Sequence, residues 1–144
     1  MNLLICRTRS RAALAAALSG LTTFAAGAVY AHGDAVEETV TPLMKQAIPE
    51  ISGKNVLIAT VDFAPSQAST AHRHPGSLFA YVLEGTVESQ LAGAPLKSYK
   101  QGESWYEPPG ASHLIARNPS KSKPARLLIF TFAAEGEPVK LPLK

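Results

Sequence analysis

HRHPGSLFAYVLEG, residues 72–85, joins two closely spaced histidines to an apolar run that ends in a glycine. Side chains two positions apart on an extended strand point to the same side, so His72 and His74 can approach one ion together. His113 follows after 38 intervening residues and opens a second apolar run. A single buried histidine is often structural, but two on one strand face, with a third entering another strand, make a metal site as well supported by the spacing as a structural role. Imidazole ligands suit Zn, Fe, Mn, Ni or Cu.

Short β-rich runs, separated by clusters of Gly, Pro, Ser and Asn, occupy the chain after Gly53. Many short strands with frequent turn signals are typical of an antiparallel sandwich or closed barrel, so the predicted fold class is all-β. The runs 78–83 and 127–132 show no polar alternation, a pattern typical of strands covered on both faces. That pattern favours a second subunit against the outer face. The predicted strands are Val56–Phe63, Leu78–Glu84, Thr86–Leu91, Pro95–Tyr99, Glu103–Glu107, His113–Arg117 and Arg126–Phe132.

Residues 1–31 have the organisation of a secretory signal peptide. Three arginines fall within the first 11 residues, an Ala-rich apolar stretch follows over 12–28, and Val29-Tyr30-Ala31 resembles a cleavage signal. The alternative is a membrane anchor, since the 20 residues of 12–31 are long enough to span a bilayer. The stretch is only weakly hydrophobic and no charged stop-transfer sequence follows it. We therefore expect cleavage, no stable membrane anchor, and a periplasmic or secreted protein.

The charge and cysteine content of the remaining chain exclude several functions. Three of the 14 basic residues lie in the leader, which leaves 11 basic against 11 acidic side chains in residues 32–144. The pI near 9.1 therefore gives no support for nucleic-acid binding. Cys6 is the only cysteine and also lies in the leader, so disulfides, thiolate catalysis and cysteine-ligated metal are excluded from the rest.

The predicted domain organisation is a signal peptide over 1–31, an N-terminal arm over 32–52 and a barrel over 53–144. Within the arm, residues 32–40 are polar and suggest a loose segment. Residues 41–50 suggest a helical turn, because Pro42 and Pro49 bracket them too tightly for a long helix.

The histidine motifs resemble those of the cupin superfamily. Residues 72–85 resemble the first cupin motif, G-x5-H-x-H-x3–4-E-x6-G, and GESWYEPPGASH, residues 102–113, resembles the second, G-x5-P-x-G-x2-H-x3-N. In the second motif, Gly102, Pro108, Gly110 and His113 are in register, whereas Asn118 is one position late. The resemblance implies a small single-domain cupin: a double-stranded β-helix, or jelly-roll barrel, with a divalent metal inside. Its ligands map to His72, His74 and His113, and small cupins commonly pair through sheet faces, which again implies a homodimer.

The sequence departs from the cupin pattern at the glutamate of the first motif. The two allowed spacings place Leu78 or Phe79 there, and neither side chain binds metal. Glu107 is the candidate replacement ligand, although its position before a Pro-Pro-Gly turn suggests a surface carboxylate slightly more strongly. Gln67 and Thr70 are weaker candidates. Arg73, between the two histidines, should point to the opposite face.

Two function classes are consistent with this pattern. One is a metal-dependent enzyme acting on a small organic molecule, of the oxygenase, isomerase or lyase type, in which the metal activates oxygen or acts as a Lewis acid. The other is a non-enzymatic cupin that binds a small ligand or metal, because one barrel hosts many functions. Tyr81, Trp105 and Tyr106 are interpreted as packing residues. After cleavage His32 would be the new N-terminus, where it could chelate copper, but only with further imidazoles placed nearby.

Overall fold

The computed structural model describes residues 36–143 of the chain. The predicted leader, Cys6 and His32 lie outside these residues. Within residues 36–143 there are ten β-strands and no helix, so none that could cross a membrane. The strands are β1 Thr39–Ala47, β2 Lys54–Phe63, β3 His72–Arg73, β4 Leu78–Glu84, β5 Thr86–Leu91, β6 Lys97–Lys100, β7 Ser104–Glu107, β8 Ser112–Arg117, β9 Ala125–Ala134 and β10 Leu141–Pro142.

The strands pair antiparallel in two five-stranded sheets, which confirms the all-β prediction. One sheet has the order β1-β2-β9-β4-β7 and the other the order β10-β3-β8-β5-β6. Alternate residues of the long strands point inward, as the two-residue period of a strand requires, and they form one apolar core. The core consists of Ala59, Val61, Phe63, Leu78, Ala80, Val82, Val87, Ala116, Ala125, Leu127 and Ile129.

The seven strands predicted from the sequence are all present, with boundaries that differ by at most two residues. The helical turn predicted over residues 41–50 is wrong, because β1 runs through Thr39–Ala47 and pairs with β2. Pro42 is tolerated there because β1 is an edge strand and its pairing shifts between Pro42 and Met44. Pairing with β2 therefore outweighs the local signal of the prolines.

Two glycines of the segment 72–85 are required by close backbone approach. A Cβ at Gly76 would lie 1.4 Å from the carbonyl oxygen of Phe132 on β9. A Cβ at Gly85 would lie 2.6 Å from the carbonyl oxygen of Pro124, and Gly85 also has a positive φ of 75°. These glycines let the chain pass directly against the entry and the end of β9, and so set the position of β4.

In the single chain only the inner face of β4 and β9 is covered, so the prediction that both faces are covered requires a second subunit and stays a prediction. Their inward residues are buried, but the outer side of the sheet exposes four aromatic residues, each between 38% and 47% accessible. Phe79 and Tyr106 are cross-strand partners with ring centroids 4.9 Å apart. We call this surface the outer aromatic face: Phe79, Tyr81, Tyr106 and Phe130.

Candidate metal centre

Strand pairing brings the three predicted histidines together inside the barrel. His72 on β3 is the direct cross-strand partner of His113 on β8, and His74 follows one residue after β3 ends. All three side chains are buried and offer nitrogen atoms that lie within 4.8 Å of one another. The three imidazoles can therefore hold a metal ion. Arg73 is exposed, as the alternation of a strand predicts.

Two backbone carbonyls fix the tautomers of His72 and His74. The Nδ1 of His72 lies 2.8 Å from the carbonyl oxygen of Thr70, and the Nδ1 of His74 lies 2.7 Å from that of Val139. A carbonyl only accepts, so each Nδ1 carries its proton and donates it. In the neutral rings the Nε2 atoms then carry lone pairs. These two Nε2 atoms face each other at 3.1 Å.

The separation of the two Nε2 atoms matches one shared ion. Nitrogens that each lie about 2.0–2.1 Å from one ion are roughly 2.9–3.4 Å apart for angles between a right angle and the tetrahedral angle. Two lone pairs at this distance repel each other unless a cation or a proton lies between them. Burial lowers the pKa of both His72 and His74, which disfavours the proton. This donor set therefore fits a metal ion.

The side chain of His113 lies between Ser89 and Glu107. Its Nε2 is 2.8 Å from the hydroxyl oxygen of Ser89, a partner on β5 that the sequence pattern did not indicate. Its Nδ1 is 3.2 Å from the Oε2 of Glu107, but the two atoms are not aligned for a hydrogen bond. Both atoms lack a hydrogen-bond partner among the described residues. Ser89 thus orients the imidazole while Nδ1 faces the carboxylate.

The interpretation of Glu107 as a surface carboxylate is wrong, because the residue is only 1% exposed. Its Oε1 accepts a hydrogen bond of 2.8 Å from the indole N–H of Trp105, and its Oε2 lies 3.6 Å from the Nε2 of His74. Burial raises the pKa of Glu107, but the nearby His113 and His74 and the Trp105 N–H lower it further, so the net pKa lies below its ordinary value. A buried carboxylate oxygen without a donor therefore faces the histidine cluster.

Pairing of β4 with β7 explains how Glu107 comes to stand beside the histidines. Glu107 is the direct cross-strand partner of Leu78, the position that the cupin pattern gives to glutamate at the shorter spacing. Leu78 is buried against the cavity, whereas Phe79 points to the outer aromatic face. The carboxylate of this chain thus lies one strand away from its place in the motif. Strand register, rather than sequence spacing, determines this proximity.

The weaker ligand candidates have structural roles instead. The amide of Gln67 donates to the carbonyl oxygens of Val36 and Glu37, and the hydroxyl of Thr70 donates to the Glu37 carboxylate at 2.6 Å. Asn118, the displaced residue of the second motif, is 1% exposed and donates to two loop carbonyls. None of these three side chains lines the cavity that the histidines face.

The histidine cluster opens into a cavity of about 310 Å³ inside the barrel. Its walls are mostly apolar. Trp105 lines this cavity as well as stacking on Tyr99 at a centroid distance of 4.6 Å, so it does more than the packing role predicted for it. Tyr81 and Tyr106 lie on the outer aromatic face, outside the cavity. The lining residues are Glu38, Val40, Val61, Phe63, Ser69, His72, His74, Leu78, Ala80, Trp105, Glu107, His113, Ala116, Leu127, Ile129, Pro138, Val139 and Lys140.

Sequence comparison identifies the family. The model of the cupin domain matches residues 59–131, half of the chain, and it covers both histidine motifs. The chain therefore belongs to the cupin family, as the resemblance of the motifs predicted. No curated protein matches it.

Solved structures show the same fold. The DMSP lyase DddQ from Ruegeria pomeroyi is similar with a TM-score of 0.60 and 19% identity, over 74% of this chain and 51% of that one. An uncharacterized protein with a double-stranded β-helix domain from Klebsiella pneumoniae has a TM-score of 0.57 and 19% identity, over 76% and 87%. TT1209 from Thermus thermophilus has a TM-score of 0.53 and 29% identity, over 66% and 82%. The chain spans about half the length of the DMSP lyase structure.

Proposed function

We propose that the protein is a periplasmic or secreted cupin that binds one divalent metal ion through His72, His74 and His113, with Glu107 as the neighbouring carboxylate ligand. One observation carries the proposal: two buried imidazoles are held in the tautomer that turns their lone pairs toward each other at 3.1 Å. A bound ion would supply Lewis acidity, or a redox centre if the metal is Fe, Mn or Cu. Zn or Ni would supply only Lewis acidity.

Hydrogen bonds with neighbouring groups hold each of the proposed ligands in place. The carbonyls of Thr70 and Val139 keep His72 and His74 ready to coordinate, Ser89 orients His113, and Trp105 orients the Glu107 carboxylate. Contacts of this kind fix the ligand tautomer and typically change metal affinity 10–100-fold in other proteins, as an order of magnitude. The apolar walls of the cavity exclude water and strengthen electrostatic interactions inside it.

Metal analysis of single-histidine variants tests the proposal. We expect His72→Ala, His74→Ala and His113→Ala each to abolish metal loading, because each removes one of the three nitrogen donors and leaves only two imidazoles beside Glu107. His32→Ala is the control, and it should load like the wild type. Circular dichroism should show that each variant stays folded, since the apolar core carries the fold. Full metal retention by His113→Ala would contradict the proposed ligand set.

The size and walls of the cavity support a small organic molecule as the ligand. A volume of about 310 Å³ is at the lower end of small-molecule sites, and its apolar lining surrounds a few polar groups, as such sites usually do. We propose an enzyme of the oxygenase, isomerase or lyase type. Redox-active metal in the purified protein would support an oxygenase.

The second candidate is a non-enzymatic cupin that binds a small ligand or metal. It is favoured by the few chemically active side chains that line the cavity apart from the histidine cluster. Turnover of a bound ligand by the metal-loaded protein would exclude it, whereas tight binding without turnover would support it.

We also propose that two copies pair through the outer aromatic face. Its four exposed aromatic side chains lie on the neighbouring strands β7, β4 and β9 of one sheet, and such exposed aromatic clusters often mark protein interfaces. Sedimentation of the chain as a monomer at micromolar concentration would contradict this. Intact mass of secreted material beginning near His32 would support the signal peptide, and retention of residues 1–31 in a membrane fraction would contradict it.

A further inference from the structure

A second polar group faces the cavity, on the segment that enters β1. The side chain of Glu38 is 4% exposed and lines the cavity together with the histidine cluster. Its Oε1 accepts a hydrogen bond of 2.9 Å from the ammonium of Lys140, but its Oε2 has no partner among the described residues. A buried carboxylate oxygen without a donor is costly, so such groups usually have a function or a ligand.

The charges around Glu38 leave this free oxygen in an anionic environment. Lys140 also contacts the carboxylate of Glu37, so one ammonium is shared by two carboxylates. Glu37 in turn accepts the hydroxyl hydrogen of Thr70, which anchors this segment next to His72. The cluster therefore retains one negative charge, and a cationic donor suits it better than a neutral one.

The rest of the cavity offers little to satisfy this oxygen. The indole N–H of Trp105 is already donated to Glu107, and most other lining side chains are apolar. Apart from Ser69 and Lys140, which also line it, the cavity thus has two polar regions: the histidine cluster and the carboxylate of Glu38. A ligand that satisfies both must carry a different group at each end.

We propose that Glu38 determines substrate specificity by accepting a hydrogen bond from an ammonium or hydroxyl group of the substrate. The substrate class is then a small molecule with a short apolar body, a metal-binding group at one end and a hydrogen-bond donor at the other. This inference rests on the proposed function for the metal-binding end only, since the contact to Glu38 does not require the metal.

Three matched series of acids test the donor preference on zinc-loaded protein. These are ω-aminoalkanoates, ω-hydroxyalkanoates and unsubstituted n-alkanoates of the same chain lengths, with binding followed by fluorescence of Trp105, the only tryptophan. For the length that fits best, we expect the amino acid to bind roughly 10–100-fold tighter than the n-alkanoate, the range of a charge-assisted hydrogen bond. The hydroxy acid should lie between them.

Variants of Glu38 and of its neighbour separate this contact from general effects. Glu38→Leu should lose the preference for the amino acid and bind the n-alkanoate best of the three. Glu38→Gln should keep part of the preference for the hydroxy acid over the n-alkanoate. Glu37→Gln is the matched control, because Glu37 contacts the same Lys140 but does not line the cavity. It should keep the order of the three ligand series, because the oxygen of Glu38 is still present, but the margin of the amino acid should narrow, because the cluster loses its net negative charge.

A probe without a carboxylate distinguishes failure of this inference from failure of the proposed function. Metal analysis should show that Glu38→Leu loads zinc like the wild type, because Glu38 is not a ligand. If the wild type holds no zinc, the proposed function fails, but n-butylammonium should still bind the wild type and not Glu38→Leu. Equal binding of n-butylammonium to both proteins, or no binding to either, would overturn the assignment of Glu38.

Discussion

Moving the Glu107 carboxylate from β7 to the paired position on the neighbouring strand β4 tests why this chain has a leucine where the cupin motif has glutamate. Leu78 and Glu107 are direct cross-strand partners, and both are at least 98% buried against the cavity. Opposed Cβ atoms lie about 4.5–5.5 Å apart, within the reach of a glutamate side chain. The double variant Leu78→Glu, Glu107→Gln should therefore place a carboxylate near the same histidines from the neighbouring strand.

The single variant Glu107→Gln measures how much the Glu107 carboxylate contributes to zinc affinity. It keeps an acceptor for the Trp105 N–H but removes the charge that faces His74 and His113. Loss of a partner of this kind weakens metal binding about 10–100-fold, which corresponds to about 1.4–2.7 kcal/mol. The double variant should recover at least about tenfold of this loss. At a fixed excess of zinc, the gain in stability on adding zinc should be smaller in Glu107→Gln than in the wild type, and larger again in the double variant.

The opposite single variant adds a carboxylate without removing one. Leu78→Glu should destabilise the metal-free protein, because two buried carboxylates would face each other, at a cost of several kcal/mol as an order of magnitude. It should gain more stability than the wild type when zinc is added, because the extra carboxylate tightens binding. Phe79→Glu is the control, since Phe79 is exposed on the outer aromatic face and should not affect zinc affinity.

Competition titrations with a chromophoric zinc chelator and melting curves with and without zinc measure both effects. The reasoning would be refuted if Glu107→Gln bound zinc within twofold of the wild type. Failure of the double variant to bind more tightly than Glu107→Gln would refute the equivalence of the two positions.

Three further predictions concern the barrel and its edges. Gly76→Ala should destabilise the protein by several kcal/mol in chemical denaturation, as an order of magnitude, because its Cβ would overlap the Phe132 carbonyl. Gly93→Ala is the control: the space around it is open, so it should cost only about 1 kcal/mol for its positive φ. Asn118→Ala should cost about 2–3 kcal/mol, because it removes the buried amide that donates to the carbonyls of Ala64 and Lys123 and accepts from the N–H of Ser120. The hydrogen bond from Lys140 lowers the pKa of Glu37 to about 2. The contribution of this pair, under about 1 kcal/mol because both side chains are about one third exposed, is present above about pH 4.5 and lost as the pH falls toward 2. Urea denaturation of the wild type and Glu37→Gln should therefore differ at pH 6 and converge near pH 2; a constant difference would contradict the assignment.

The fold was predictable because its signals are local and mutually consistent. Each β-rich run of the sequence is bounded by turn residues, and each became a strand. Strand β1 was missed because its evidence is not local: prolines 42 and 49 dominate the sequence there, while the pairing with β2 is visible only in three dimensions. The apolar runs of β4 and β9 correctly marked strands, and the face that they leave exposed in the single chain is the one against which the sequence predicts a second subunit.

The site was predictable only in part, for a related reason. His72 and His74 were found through the two-residue period of a strand, and His113 through the second motif. Glu107 was named as a candidate, but its burial depends on the register between β4 and β7, which the sequence does not reveal. Glu38 gave no signal at all, because its importance comes from an unpaired oxygen at the wall of a cavity formed by distant segments.

X-ray absorption spectroscopy of the zinc-loaded protein tests the central claim most directly. We expect one zinc ion per chain with three imidazole nitrogens at about 2.0–2.1 Å, plus oxygen ligation that weakens in Glu107→Gln. A protein that retains no zinc after dialysis, or a first shell with fewer than three imidazoles, would contradict the proposed metal centre.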